Sequence, residues 1–117
     1  MNMKFLIVDD NALMRRTISL LIAERGDEVA ECEDGKDAAQ MYRQFHPDWV
    51  LMDIKMKTVG GIEATENIIA EDPAAKVVIV TDYDDRFFRK AAENAGAYSY
   101  VTKENLGEIK SILRREI

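Results

Sequence analysis

The segment MKFLIVDD, residues 3–10, ends a run of apolar residues in two adjacent carboxylates. A second run of this kind, DWVLMD at residues 48–53, also ends in an aspartate. Apolar residues dominate both runs and turn residues follow them, which is typical of strands buried in a parallel sheet. If the two strands lie parallel in one sheet, Asp9, Asp10 and Asp53 meet at its carboxyl edge. Three clustered carboxylates repel one another unless a cation neutralises them, so the pattern predicts a site for a hard divalent metal.

The rest of the chain alternates strand-like and helix-like patterns. Periodic apolar positions predict five helices between short β-rich runs. The first helix is predicted to begin near Asn11 and to end near Gly26, because glycine commonly follows the last helical turn. This alternation indicates one α/β domain over residues 1–117, a doubly wound parallel sheet covered by helices on both faces. The β-rich runs lie near residues 3–9, 28–33, 48–53, 76–81 and 98–102.

The composition excludes several classes of function. The 117 residues are 47% hydrophobic and 32% charged, which is ordinary for one globular domain. A formal net charge of −6 argues against nucleic-acid binding, because a phosphate backbone requires a basic face. The apolar runs are far too short to span a bilayer, and the N-terminus lacks a signal-peptide pattern. The single cysteine, Cys32, excludes an internal disulfide and leads us to expect a cytoplasmic location.

Two further polar residues follow predicted strands and suit phosphate chemistry. Thr81 closes the run KVVIVT at residues 76–81, and Lys103 follows YSYVT at residues 98–102. A threonine hydroxyl can donate to a phosphate oxygen, and a lysine ammonium can pair with one as a point charge. The carboxylate of Asp53 could be a metal ligand, a nucleophile that takes up a phosphoryl group, or both.

Taken alone, each of these residues has an ordinary structural explanation. The acidic pair, or the asparagine after it, could cap the first helix, and Asp53 could lie in a turn. Thr81 could be a plain strand residue, and Lys103 could be a solvated surface charge. Separate explanations fit the whole set poorly, because five polar residues fall at or just after the predicted strand ends. These residues are Asp9, Asp10, Asp53, Thr81 and Lys103.

In this order and spacing, the chain closely resembles the receiver domain of bacterial two-component response regulators. The resemblance covers essentially the whole chain and implies a flavodoxin-like sheet with strand order 2-1-3-4-5. The segments that carry it are LIVDDN at residues 6–11, DIKM at 53–56, GGIEAT at 60–65, VIVT at 78–81 and GAYSYVTK at 96–103.

The resemblance implies a magnesium site and a phosphoacceptor. Asp53 resembles the family's phosphoacceptor, and Mg²⁺ would be held by the carboxylates of Asp9, Asp10 and Asp53 and by the backbone carbonyl of Lys55. The donor would be a phosphohistidine on a sensor histidine kinase or a histidine phosphotransfer protein. The domain would catalyse its own Mg²⁺-dependent phosphorylation and dephosphorylation, although it is mainly a signalling switch.

The resemblance also implies a switch. Thr81 and Lys103 would hold the phosphoryl oxygens, and Tyr100 would occupy the aromatic switch position that responds to Thr81. The face formed by the fourth helix, fifth strand and fifth helix would then contact a downstream protein or output domain. We expect no output domain within these 117 residues, which leaves two arrangements open: a stand-alone regulator, or a receiver from a longer protein.

Three positions differ from what members of the family usually have. Asp82 follows Thr81 in place of a small residue; it either repels phosphate or faces solvent as a helix cap, and we favour the second. Glu104 replaces a proline that usually forms a cis peptide, so we expect a trans bond or a rearranged loop after Lys103. Lys57 replaces a common proline, which would loosen the segment that carries Gly60 and Gly61.

Two alternatives to a phosphorylated receiver remain. The first is a pseudo-receiver that takes up no phosphate and acts only as a protein-interaction module. The second, a nucleotide-binding enzyme, fits less well. No Gly-x-Gly-x-x-Gly motif follows the first strand, and no phosphate-binding loop ending in Gly-Lys-Ser or Gly-Lys-Thr occurs in the chain.

Overall fold

A computed structural model describes residues 2–114, with the backbone alone for Arg114. Five strands alternate with five helices, and two short 3₁₀ turns, Gly35–Asp37 and Lys103–Asn105, precede the second and fifth helices. In chain order the elements are β1 (Lys4–Val8), α1 (Ala12–Ile22), β2 (Glu28–Cys32), α2 (Ala38–Phe45), β3 (Trp49–Met52), α3 (Gly61–Glu71), β4 (Val77–Thr81), α4 (Arg86–Ala95), β5 (Ser99–Thr102) and α5 (Gly107–Arg114).

The strands form one parallel sheet in the order β2-β1-β3-β4-β5. This confirms the predicted strand order and the doubly wound α/β class. Each strand lies within the β-rich run that predicted it. The reversal of strand order falls between β1 and β3, and in folds of this class the crevice beside such a point is where ligands bind.

Successive residues of a strand point to opposite faces, and the two faces of this sheet carry separate cores. On one face α2, α3 and α4 pack over the sheet; on the other, α1 and α5 do. The first core includes Leu6, Val8, Val50, Met52, Val77, Ile79, Ala38, Ala64, Ile68 and Ala92. The second includes Phe5, Ile7, Trp49, Leu51, Val78, Val80, Ile18, Ile22, Ile109 and Leu113. Because β1, β3 and β4 are covered on both sides, they read as continuous apolar runs.

The residues at the helix ends agree only in part with those expected from the sequence. Asn11 caps α1, since its side-chain oxygen accepts a hydrogen bond from the Met14 backbone N–H at 2.9 Å. The prediction that Gly26 ends this helix is wrong, because α1 stops at Ile22. Gly26 instead takes a φ of 93° in the turn before β2. At the end of α4, Gly96 takes the left-handed conformation, which glycine adopts without steric cost.

None of the helices within residues 2–114 has the length and apolar character needed to cross a membrane.

Candidate metal centre

The sheet register brings the three predicted carboxylates together. Val8 lies opposite Met52 in the β1–β3 pair, so the residues that follow each strand are neighbours at the carboxyl edge. The Asp53 backbone N–H donates to the Val8 carbonyl at 2.9 Å, which extends the ladder by one residue. One carboxylate oxygen from each of Asp9, Asp10 and Asp53 lies within 4.8 Å of the others. Asp9 and Asp53 are buried, whereas Asp10 is exposed at the rim.

Asp10 has no part in capping α1, because Asn11 occupies the cap position. The Asn11 backbone N–H itself donates to Asp9 Oδ1 at 2.8 Å. The two explanations for the acidic segment therefore coexist on different residues. The asparagine caps the helix, and the aspartate pair is left at the sheet edge.

Burial and a like charge disturb the ionisation of Asp53. Removal from water, followed by the charge of Asp9, raises the pKa of Asp53 from 3.8 to about 6. The Lys103 ammonium and a hydrogen bond from the Ile54 backbone N–H act in the opposite direction without cancelling the rise. Keeping Asp53 ionised in the metal-free protein therefore costs free energy. A bound cation would offset this cost, because it stabilises the ionised carboxylate.

Lys103 is the cation that the protein itself supplies to the cluster. Its ammonium lies 3.0 Å from Asp9 Oδ2 and 3.4 Å from Asp53 Oδ2, and its side chain is only 11% exposed. Burial alone would lower the pKa of Lys103, but contact with Asp9 and the charge of Asp53 raise it. Among the described residues, Asp9 Oδ2 receives no hydrogen bond of good geometry, so its contact with Lys103 is an ion pair at a poor angle.

These observations fit a hard divalent cation. An oxygen of Asp9 is buried without a well-formed hydrogen bond, and two further carboxylates lie within reach of it. Mg²⁺ prefers oxygen ligands and keeps several waters, which the exposed side of Asp10 allows. Lys55 follows Asp53 by two residues, and the role of its backbone carbonyl as a ligand stays a prediction.

Replacing Lys103 by methionine tests how the cluster is balanced. Without metal, the substitution removes the only close cation of the buried Asp9 carboxylate among the described residues. We therefore expect the free energy of unfolding to fall by about 3 kcal/mol. Saturating Mg²⁺ should recover most of that loss, because it replaces the missing positive charge. Urea unfolding with chelator and with excess Mg²⁺ measures both values.

The matched control is Lys90→Met, at an exposed lysine paired with Glu93 on α4. We expect this change to stay within about 0.5 kcal/mol in either condition. An equal loss for Lys103→Met with and without Mg²⁺ would contradict a shared role of ammonium and metal.

Thr81 and Tyr100 lie on the last two strands of the sheet, β4 and β5. Thr81 is buried at the end of β4 and is paired with Thr102, so it is a neighbour of Lys103 across the edge. Its hydroxyl oxygen accepts a hydrogen bond from the Tyr83 backbone N–H at 3.4 Å. The Tyr100 hydroxyl donates to the carbonyl of the same Tyr83. Backbone contacts of one residue therefore connect the two predicted switch positions.

The side chains around this connection are cationic and aromatic. The Arg89 guanidinium lies 4.6 Å from the centre of the Tyr100 ring, and its Nε donates to Asp84 at 2.8 Å. The Lys55 ammonium lies 5.5 Å from the ring centres of both Tyr83 and Phe88. Such contacts stabilise by about 0.5–1 kcal/mol each at exposed sites.

The predictions for Asp82 and Glu104 have mixed outcomes. Asp82 is exposed, as expected, but it does not cap α4. The cap is Asp85, whose carboxylate accepts a hydrogen bond from the Phe88 backbone N–H at 2.8 Å. No cis peptide bond occurs in residues 2–114, so the bond between Lys103 and Glu104 is trans, as expected.

Two features beside the site were not predicted from the sequence: the role of Asp34 and the close approach of Gly61 to the backbone of Asp53. Asp34 is buried at the carboxyl end of β2 and accepts backbone hydrogen bonds from the segment after Asp53. The Asp34-Gly35 dipeptide is a turn signal, and that signal alone does not show which segment the carboxylate binds. Gly61 was assigned to a motif, but its contact with the Asp53 backbone is visible only in three dimensions.

The fold and the acidic edge together define a flavodoxin-like α/β domain with a candidate metal site at the carboxyl ends of its strands. A model of the response regulator receiver domain family matches residues 5–114. The chain belongs to this family.

Individual relatives agree with this assignment. The chain is 39% identical over 102 residues to the response regulator GacA of Pseudomonas aeruginosa, an alignment that covers 86% of this chain and 48% of that protein. It is 38% identical over 98 residues to the chemotaxis protein CheY of Halobacterium salinarum, covering 84% of this chain and 82% of that one. The chain thus spans about half the length of GacA.

A solved structure gives the same result in three dimensions. The crystal structure of a LuxR-family two-component response regulator from Aurantimonas sp. SI85-9A1 superposes with a TM-score of 0.89 at 36% identity. The match covers 97% of this chain and 83% of that one.

Proposed function

We propose that this domain is a phosphorylatable receiver. With Mg²⁺ held by Asp9, Asp10, Asp53 and the Lys55 carbonyl, Asp53 takes a phosphoryl group from a phosphohistidine of a sensor kinase or phosphotransfer protein. The observation that carries the proposal is the buried Asp53 carboxylate beside a second buried carboxylate and 3.4 Å from the Lys103 ammonium. A structural aspartate in a turn needs neither neighbour.

The transfer follows from this arrangement. An oxygen of the Asp53 carboxylate forms a bond to phosphorus, the phosphorus–nitrogen bond of the donor breaks, and the imidazole nitrogen leaves with the electron pair. A pKa of about 6 leaves Asp53 mostly ionised at neutral pH, so the nucleophile is present. Lys103 and Thr81 then hold the phosphoryl oxygens. Mg²⁺, when bound, would neutralise the negative charge that the carboxylates and the phosphoryl group bring together.

The signal would pass through Tyr83. Its N–H donates to Thr81 and its carbonyl accepts from Tyr100, so a Thr81 hydroxyl that turns toward phosphate removes one of these restraints. The position of Tyr100 in β5 would then change together with the loop before α4. We propose that the face of α4, β5 and α5 reports this change to a partner protein or output domain.

The direct test is a mass measurement. Incubation with a small phosphodonor and Mg²⁺ should add the mass of one phosphoryl group, and chelation of Mg²⁺ should prevent the addition. Absence of Mg²⁺ binding, together with no beryllium fluoride adduct, would instead favour the pseudo-receiver, in which the same fold acts only through protein contact.

Asp82 tests whether an exposed acid near the site slows transfer. We expect Asp82→Asn to speed labelling by an anionic phosphodonor about twofold. The charge of Asp82 acts on Lys103, whose pKa it raises. Through about 10 Å of water, one negative charge repels an anion by about 0.4 kcal/mol. The gain should shrink at high salt, which screens exposed charges. Labelling rates at low and high ionic strength measure it.

Glu28→Gln, at the opposite edge of the sheet, changes the net charge equally and should leave the rate unchanged. A gain for Asp82→Asn above about tenfold, or one independent of salt, would show that this carboxylate acts inside the site rather than through solvent.

A further inference from the structure

The loop between β3 and α3, residues 53–60, carries both Asp53, the proposed phosphoacceptor, and Lys55. Its base is closed by a hydrogen bond of 2.8 Å from the Gly61 backbone N–H to the Ile54 carbonyl. The middle of the loop, Lys57 and Thr58, is exposed. An exposed loop needs an external restraint if one of its carbonyls is to serve as a metal ligand, because Mg²⁺ tolerates little departure from octahedral geometry.

The restraint comes from the loop after β2. Asp34 is only 6% exposed, and its carboxylate accepts three backbone hydrogen bonds. Oδ1 accepts from Lys36 at 3.0 Å and from Val59 at 2.9 Å, and Oδ2 accepts from Thr58 at 2.8 Å. Two of these three donors therefore belong to the loop that carries Lys55.

Gly35 brings the two loops close enough for these bonds. Its backbone N–H donates to the Val59 carbonyl at 3.1 Å. A Cβ at position 35 would lie 2.4 Å from that carbonyl oxygen and 3.1 Å from the Gly60 oxygen, so a larger residue would push the loops apart. The Asp34 carboxylate thus accepts from the backbone of Thr58 and Val59, and the Gly35 backbone N–H donates to Val59 as well.

Charge makes the contact stronger than a neutral one. Burial alone would raise the pKa of Asp34, but the hydrogen bonds from Lys36, Val59 and Thr58, with the charge of Lys36, hold this pKa below its usual value. Asp34 is therefore an anion at neutral pH, and charge-assisted hydrogen bonds are about twice as strong as neutral ones.

We propose that Asp34 is a positioning residue for the metal site. Its carboxylate restrains Thr58 and Val59 so that the loop presents the Lys55 carbonyl to Mg²⁺ beside Asp53. This inference rests on the proposed function.

Asp34→Ala should weaken Mg²⁺ binding about tenfold, the range found when a group that orients a metal ligand is lost. Titration calorimetry measures the affinity. The Mg²⁺ concentration for half-maximal labelling should rise by the same factor, while the labelling rate at saturating Mg²⁺ changes less. Asp34→Asn keeps one carbonyl oxygen that can accept from Lys36 and Val59, so it should recover part of the affinity.

Asp27→Ala is the matched control. Asp27 also binds two backbone N–H groups, of Met3 and Glu24, each at 2.8 Å, but at the opposite end of the sheet. Asp27→Ala should lower the free energy of unfolding about as much as Asp34→Ala does, and it should leave the Mg²⁺ affinity within about twofold of the parent. An equal loss of affinity in Asp27→Ala, or none in Asp34→Ala, would overturn the proposal.

Amide hydrogen exchange in the absence of metal separates this inference from the proposed function. In Asp34→Ala the amides of residues 54–61 should exchange faster than in the parent, and in Asp27→Ala they should not. If the parent binds no Mg²⁺, the proposed function fails, and exchange alone then decides whether Asp34 restrains the loop. Unchanged exchange in Asp34→Ala would overturn the restraint itself.

Discussion

Asn in place of Asp53 is expected to abolish Mg²⁺-dependent phosphoryl uptake and, at the same time, to stabilise the metal-free protein. An amide oxygen is a poor nucleophile, so no phosphorylated product should accumulate. The stabilisation follows from the raised pKa of Asp53, about 6 in the folded chain against an ordinary 3.8. Each unit of difference corresponds to about 1.4 kcal/mol, so the gain near pH 7.5 should be at most about 3 kcal/mol.

The pH dependence gives the sign of this effect. Below about pH 4 the carboxyl is protonated in both folded and unfolded chains, and the substitution should change stability little. As pH rises from about 4 to about 6, the unfolded chain ionises freely while the folded chain resists, so the parent loses stability relative to Asp53→Asn. Above about pH 6 the difference should stay constant. Urea unfolding across this range, with chelator present, measures it.

Asp48→Asn is the matched control, because this exposed aspartate precedes the same strand at its other end. Its carboxylate accepts from the Lys4 backbone N–H, which an asparagine oxygen can also do. We expect neither loss of labelling nor a gain in stability. Labelling of Asp53→Asn equal to that of the parent would show that Asp53 is not the phosphoacceptor.

Gly61→Ala should cause the largest structural damage of any single methyl addition at this site. A Cβ on Gly61 would lie 1.8 Å from the Asp53 carbonyl oxygen and 3.0 Å from Met52 Cγ. The obstructing atoms are mostly backbone, so the end of β3 must move. We expect a loss of about 3 kcal/mol in unfolding free energy, the upper part of the range for overpacking. Mg²⁺ affinity should fall with it, because the displaced backbone carries Asp53.

Gly107→Ala provides a closely matched control, since Gly107 also begins a helix and a Cβ there meets no atom of the described residues within 4 Å. That change should stabilise the protein by about 0.5–1 kcal/mol through helix propensity and unfolded-chain entropy. Urea unfolding and Mg²⁺ titration of the two variants give the comparison. Stability of Gly61→Ala within about 0.5 kcal/mol of the parent would contradict the close approach.

The errors in the sequence analysis share one cause. Gly26 was predicted to end α1, and Asp82 was weighed as the cap of α4, yet α1 ends at Ile22 and Asp85 is the cap. Several residues near a helix end carry acceptable chemistry. Which of them takes the role depends on where the chain must leave the helix to reach the next strand, and packing decides that point.

The fold class and the identity of the edge residues could be predicted from the chain alone. Parallel strands buried on both faces need unbroken apolar runs, and polar residues placed directly after such runs must fall at one edge. Strand order came from the resemblance rather than from the runs themselves, because periodicity does not say which strands are neighbours.

Only the tertiary structure showed which side chains and backbone groups are in contact at that edge. Three contacts link segments that are separated along the chain. Lys103 pairs with Asp9 and Asp53, and Gly61 lies close to the Asp53 carbonyl. The Asp34 carboxylate accepts hydrogen bonds from the backbone of Thr58 and Val59. Local pattern determines which residues a strand or turn contains. Contacts between turns depend on how the whole sheet and its helices pack, which no single segment encodes.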